Sequence, residues 1–162
     1  VTRGDADIVI VSERGNAIKF NEQDVRPMGR TAAGVKSMNL REDDIAVCMD
    51  IAVDDEDLLV ISENGFGKRT ELDEYRVQIR GGKGVITYKI TPKTGKLVGA
   101  RVATEEDDVM LITDTGTIIR LNVKDISVLG RSTQGVTLMR TNDGGKVVSI
   151  ETLTPDMDDI EE

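Results

Sequence analysis

Three stretches of this chain are versions of one another: DIVIVSERGNAIKF (7–20), DLLVISENGFGKRT (57–70) and DVMLITDTGTIIRL (108–121). Each opens with an acid, continues through an apolar-rich run, turns at a glycine and resumes as a second strand-like run. The turn glycines Gly15, Gly65 and Gly116 are 50 and 51 residues apart. A second marker follows in each copy: GRTAAGV (29–35), IRGGKGV (79–85) and GRSTQGV (130–136). Its last glycines, Gly34, Gly84 and Gly135, keep the same spacings of 50 and 51. Two markers held to one period define repeats over 1–51, 52–102 and 103–153, followed by an acidic tail, TPDMDDIEE (154–162).

A period of this size bounds the architecture. The runs are short, rich in β-branched residues and bounded by Gly, Asn and Asp, which is the pattern of strands. The turns ERGN, ENGF and DTGT read as hairpin connections with a positive φ at glycine. No segment carries a long, uninterrupted helical stripe. Four short strands per repeat predict an all-β fold of propeller-like blades, each packed on its neighbour because one blade cannot bury both faces alone. Three blades do not close a ring, so the expected shape is an open arc of three four-stranded units.

Composition removes several functions. The chain has 162 residues, enough for one ordinary domain, and no histidine, which takes away the commonest general base and metal ligand. Cys48 is the only cysteine and lies in the apolar run IAVCMDIAV, so it reads as a small core residue and no internal disulfide is possible. No run approaches the length of a membrane-spanning helix, and no signal pattern opens the chain. These features suggest a cytoplasmic protein with no membrane partner. The start without Met suggests a cut fragment. Ser and Thr have no His partner, the clusters DDED (54–57) and EEDD (105–108) lack an EF-hand's spacing, and GGKG lacks the phosphate-loop pattern. No catalytic residue, no metal site and no cofactor is therefore expected in this chain.

Charge points to binding. The formal net charge is −9, yet YRVQIRGGKGV (75–85) contains three basic residues and no acid. Arg26, Arg30 and Lys36 flank the first marker. Arg76, Arg80, Lys83 and Lys89 flank the second, with Lys68 and Arg69 on the run before it. Arg120, Lys124, Arg131 and Arg140 flank the third. Equivalent loops should lie along one edge, giving a basic rim on an acidic body, and it is the distribution of charge that selects a ligand. Glycine lets a phosphate backbone come close to main-chain N–H groups. Only Phe20, Phe66, Tyr75 and Tyr88 are aromatic, too few for the stacking platforms of single-strand binders, so a duplex fits better. Exposed charges of such a rim are expected to contribute little to folding.

These residues resemble a known family. DVRPMGRTAAGVKSM, EYRVQIRGGKGV and LGRSTQGVTLMR are similar to loops of the C-terminal domain of the A subunit of DNA gyrase and, more loosely, of topoisomerase IV, over all of 1–153. The resemblance implies a β-pinwheel, a propeller-like disc with strands exchanged between neighbouring blades, whose edge wraps duplex DNA to support negative supercoiling. ATP and magnesium chemistry would then lie elsewhere in the full enzyme. Partners would be double-stranded DNA and the rest of the gyrase A subunit, with the B subunit reached through it, in the cytoplasm at the nucleoid. The family's box, Gln-(Arg/Lys)-Arg-Gly-Gly-(Arg/Lys)-Gly, is matched by Gln78, Arg80, Gly81, Gly82, Lys83 and Gly84, and Ile79 departs from it. In the family the full box lies on the first of commonly six blades, so this copy resembles a degenerate one on a later blade and the chain resembles the C-terminal half. The DNA-contacting set carried over is Arg30, Lys36, Arg76, Gln78, Arg80, Gly81, Gly82, Lys83, Gly84, Arg131 and Arg140. A topoisomerase IV domain and a non-DNA, kelch-type interaction propeller remain as alternatives.

Overall fold

A computed structural model describes residues 2–141 and 144–153; the acidic tail lies outside the described residues. The apolar runs form the expected hairpins: β1 (Asp7–Ser12) with β2 (Asn16–Asn21), β4 (Asp57–Ser62) with β5 (Phe66–Glu71), and β8 (Asp108–Thr113) with β9 (Ile118–Asn122). The turn glycines Gly15, Gly65 and Gly116 sit at φ +82°, +81° and +82°, a region that disfavours any residue with a Cβ. A longer inner strand follows each hairpin and pairs with its first strand: β3 (Ala46–Ala52), β7 (Leu97–Ala103) and β11 (Val147–Leu153). The helical content of the described residues is three single 3-10 turns, Glu22–Asp24, Leu72–Glu74 and Val123–Asp125.

The fourth strands are exchanged. The short strands β6 (Val85–Ile86) and β10 (Val136–Thr137) belong by sequence to the second and third repeats, but they pair with β2 and β5 of the blade before. The sheets therefore run β3-β1-β2-β6, β10-β5-β4-β7 and β11-β8-β9. The third blade has three strands, not the expected four, because each outer strand comes from the next repeat. The first marker, residues 29–35, correspondingly contributes no strand.

Alternation along the strands sends side chains to both faces, and the middle sheet is packed on two sides. Val9 and Val11 of the first blade share a core with Leu58, Val60, Tyr75, Tyr88 and Leu97. On the other face of β4, Leu59 and Ile61 join Val109, Leu111, Val123 and Ile150. The outer face of the first blade is covered only partly: Ile10, Ile18 and Phe20 pack under Met38, while Met49 is 71% exposed. Its counterparts Ala100 and Ile150, which face a neighbouring blade, are 0% and 2% exposed. Cys48 is buried, as its apolar context predicts, and burial raises its thiol pKa.

Candidate nucleic-acid interface

After the second and third 3-10 turns the backbone crosses onto the outer strand of the preceding blade. The Gln78 N–H donates to the Lys19 carbonyl at 2.7 Å; the Arg69 N–H donates to Ser127 at 3.1 Å, and the Leu129 N–H to Arg69 at 2.9 Å. The chain then forms the marker loop and drops into the short exchanged strand. This crossing lays successive marker loops side by side. The Gly81 N–H donates to the Ser37 carbonyl at 2.6 Å, Asn39 to Gly82 at 2.8 Å, and Lys89 to Thr133 at 3.0 Å. The three loops form one continuous band, as their equivalence in sequence predicts.

The basic residues on this band fall into two groups. Arg30, Lys36, Arg76, Lys83 and Arg140 are exposed, as are Arg26 and Lys89. Arg80 and Arg131 are half-buried and already engaged. Arg80 donates through Nε to the Asp24 carbonyl at 2.9 Å and through Nη1 to the Lys36 carbonyl at 3.0 Å. Arg131 donates through Nη1 to the Ile86 carbonyl at 3.3 Å, and its backbone N–H donates to Glu74 at 3.1 Å. Gln78 is half-buried and its Nε2 has no hydrogen-bond partner. The glycines divide as well: the N–H of Gly81 is committed to Ser37, so it is not a free donor for an anion. A Cβ placed on Gly84 would lie 2.4 Å from the Ala17 carbonyl oxygen, which makes that glycine a strand-packing residue.

The structure removes Lys68 and Arg69 from the basic surface. Both are buried on β5, beneath the third marker segment. The Lys68 Nζ donates to the carbonyls of Gly130 at 2.5 Å and Arg131 at 2.7 Å, and lies 5.8 Å from the Tyr88 ring centre. The Thr70 hydroxyl donates to Leu129 at 2.7 Å. Arg69 donates to the Ile126 carbonyl at 2.7 Å and pairs with Asp57 at 3.1 Å and Glu105 at 2.7 Å. These side chains moor the third loop. Charge sorting along the sequence cannot reveal this, because the covering segment lies some sixty residues away. Lys68 stands where the other repeats have Ile18 and Ile119, and that mismatch is the one signal the sequence offered.

Burial lowers the Lys68 pKa from 10.5 to about 8. Between those values the unfolded chain holds more protons than the folded one, so this group makes stability rise with pH across that window. Relative to Lys68→Met, the wild-type chain should gain melting temperature between pH 8 and pH 10. Parallel melting curves for the two proteins across that range would show that the ammonium is not desolvated.

The aromatics give bases no platform: Phe20, Tyr75 and Tyr88 are buried, and Phe66 is half-buried with the Lys93 ammonium 5.2 Å from its ring centre. Six acids, Asp55, Glu56, Asp57, Glu71, Asp73 and Glu105, line one cleft together with Arg69. There the Glu56 pKa is raised, first by burial and then by the charges of Asp107 and Asp50.

Blades that lend their outer strand backward, with basic glycine loops fused into one band, define a strand-exchanged β-propeller, or pinwheel. The family model described as "DNA gyrase C-terminal domain, beta-propeller" matches residues 6–47, 56–104 and 107–154. The chain belongs to that family. It is 52% identical to the DNA gyrase A subunit of Clostridium acetobutylicum over 156 residues, covering 96% of this chain and 19% of that protein. It is 47% identical to the corresponding protein of Staphylococcus epidermidis over 152 residues, covering 93% and 17%. The chain thus spans under a fifth of the length of these curated relatives. Among solved structures, a DNA gyrase A C-terminal domain superposes with a TM-score of 0.88 at 30% identity, covering 94% of this chain and 52% of that one. The C-terminal domain of DNA topoisomerase IV gives 0.89 at 29%, covering 94% and 48%.

Proposed function

We propose that the chain is a DNA-binding module of a type II topoisomerase, holding duplex DNA along the band of marker loops so that the enzyme can introduce negative supercoils. The observation that carries this reading is the band itself, where exposed Lys36, Arg76, Lys83 and Arg140 gather in a chain of net charge −9. Such a row can neutralise successive phosphates, while the acidic cleft lined by Asp55, Glu56, Asp57, Glu71, Asp73 and Glu105 disfavours the polyanion where it opens. The reading of this chain as part of a gyrase A protein, and not of topoisomerase IV, is supported by identities of 44–52% with curated gyrase A proteins. In that setting it works beside the rest of the gyrase A protein, with its gyrase B partner, at the nucleoid. Cleavage, ATP and magnesium belong to those other parts.

Binding to a random-sequence duplex should be sequence-independent, with Kd on the order of 10⁻⁴–10⁻⁶ M near physiological salt, and log K should fall linearly with log salt at about −0.9 per phosphate contacted. Replacing Lys36, Arg76, Lys83 and Arg140 together with Glu should abolish binding and leave the melting temperature nearly unchanged. Affinity that does not respond to salt, or survives the fourfold reversal, would remove the phosphate reading.

A further inference from the structure

The two half-buried arginines stand at one position of the repeat, immediately before the variable part of each marker loop, and make corresponding contacts. Arg80 reaches back to the carbonyls of Asp24 and Lys36 in the loop segment of the preceding repeat. Arg131, its counterpart, reaches back to the carbonyl of Ile86, which is the counterpart of Lys36. It also meets Glu74, the counterpart of Asp24, through its backbone N–H at 3.1 Å and its Nε at 3.9 Å. Arg30 holds the same place in the first repeat, where no earlier loop lies beside it, and it is exposed. A planar guanidinium with donors along two edges can bridge two carbonyls of different chain segments in fixed directions; an ammonium cannot hold that geometry.

We infer that Arg80 and Arg131 are positioning residues that staple each marker loop to the one before it, setting the spacing at which Lys36, Lys83 and the other exposed cations are presented to phosphates, and are not themselves phosphate ligands. This rests on the duplex-binding reading above. Arg80 holds two backbone carbonyls and Arg131 one, and turning either side chain to a phosphate gives up those contacts. Beside the Arg80 staple the N–H of Gly81 meets Ser37 at 2.6 Å and that of Asn39 meets Gly82 at 2.8 Å, so the order between the first and second loops can be read directly at these two amides.

The test uses Arg80→Lys, Arg80→Gln and Lys83→Gln in the same chain, with two readouts. The first is amide hydrogen exchange at Gly81 and Asn39 without DNA. Both Arg80 variants should raise the exchange rate at these amides at least several-fold, including the one that keeps the charge, while Lys83→Gln should leave it unchanged. The second is the salt dependence of duplex binding. Lys83→Gln should make the log–log slope shallower by about 0.9, one phosphate's worth, whereas Arg80→Gln should weaken binding at every salt concentration with the slope preserved. Arg80→Lys should bind as weakly as Arg80→Gln. The staple is overturned if exchange at Gly81 and Asn39 ignores Arg80, if Arg80→Gln makes the slope as shallow as Lys83→Gln does, or if Arg80→Lys restores wild-type affinity. If no variant and no wild-type chain binds duplex DNA, the functional reading fails, and the exchange readout still decides whether the staple exists.

Discussion

Gly84→Val is expected to destabilise the chain by about 3–4 kcal/mol, against about 1–3 kcal/mol for Gly34→Val at the equivalent position of the first repeat. Both glycines have positive φ, +73° at Gly84 and +81° at Gly34, so both variants suffer the backbone strain of a β-branched residue in that region. They differ in what a Cβ meets. At Gly84 it would lie 2.4 Å from the Ala17 oxygen and 2.8 Å from the Ala17 carbon, whereas at Gly34 nothing lies within 4 Å. The first case leaves no room for relief without separating β6 from β2, whose pairing is only Asn16 with Ile86 and Ala17 with Val85. Gly135 repeats the arrangement, with the Gly67 oxygen 2.4 Å away, and Gly135→Val should follow Gly84→Val. Urea unfolding midpoints measure the ranking. Equal losses at 34 and 84 would show that φ strain alone is responsible and that the strand exchange is not tight there.

The same comparison shows what the sequence could tell. The period, the hairpins and the positive φ of the turn glycines Gly15, Gly65 and Gly116 were readable because each is a local matter: a turn, an alternation and a residue without Cβ within a few positions. The blade to which a marker strand belongs was not local. Val85 and Ile86 are too few to carry a pairing pattern, and chain order assigns them to the second repeat although their hydrogen bonds are made in the first blade. The inferred contact residues were blurred for the same reason. Five of them, Arg30, Lys36, Arg76, Lys83 and Arg140, lie exposed, but Arg80 and Arg131 look identical to free rim charges in the sequence, and only the adjacency of loops fifty residues apart supplies their carbonyl partners. Segment 66–71, FGKRTE, is a third instance. Its middle four residues are all buried because a sheet lies to one side and a borrowed loop over the other, which no two-residue alternation can announce.

That covering loop makes one ion pair into two experiments. Arg69 with Asp57 and Arg120 with Asp108 are the same pair in successive repeats, on the same two strands of their hairpins. The Arg69 side chain is 6% exposed, because the third marker segment crosses it; the Arg120 side chain, on the uncovered edge of the last blade, is 64% exposed. Arg120→Ala should therefore cost less than about 1 kcal/mol, since water replaces its contacts and salt screens the pair. Arg69→Ala should cost about 3–5 kcal/mol, because it leaves a partly buried carboxylate without its cation. It also strips donors from the carbonyls of Ile126 at 2.7 Å and Lys124 at 3.3 Å, so the third marker segment loses part of its mooring. The loss should then appear locally before it appears globally, as faster amide exchange at Leu129, whose N–H is bonded to the Arg69 carbonyl, while Gly81 in the second loop stays protected. Denaturant midpoints for the two single variants carry the comparison. If Arg120→Ala costs as much as Arg69→Ala, coverage by the next repeat is not what gives this pair its weight, and the third loop is held by the exchanged strand alone.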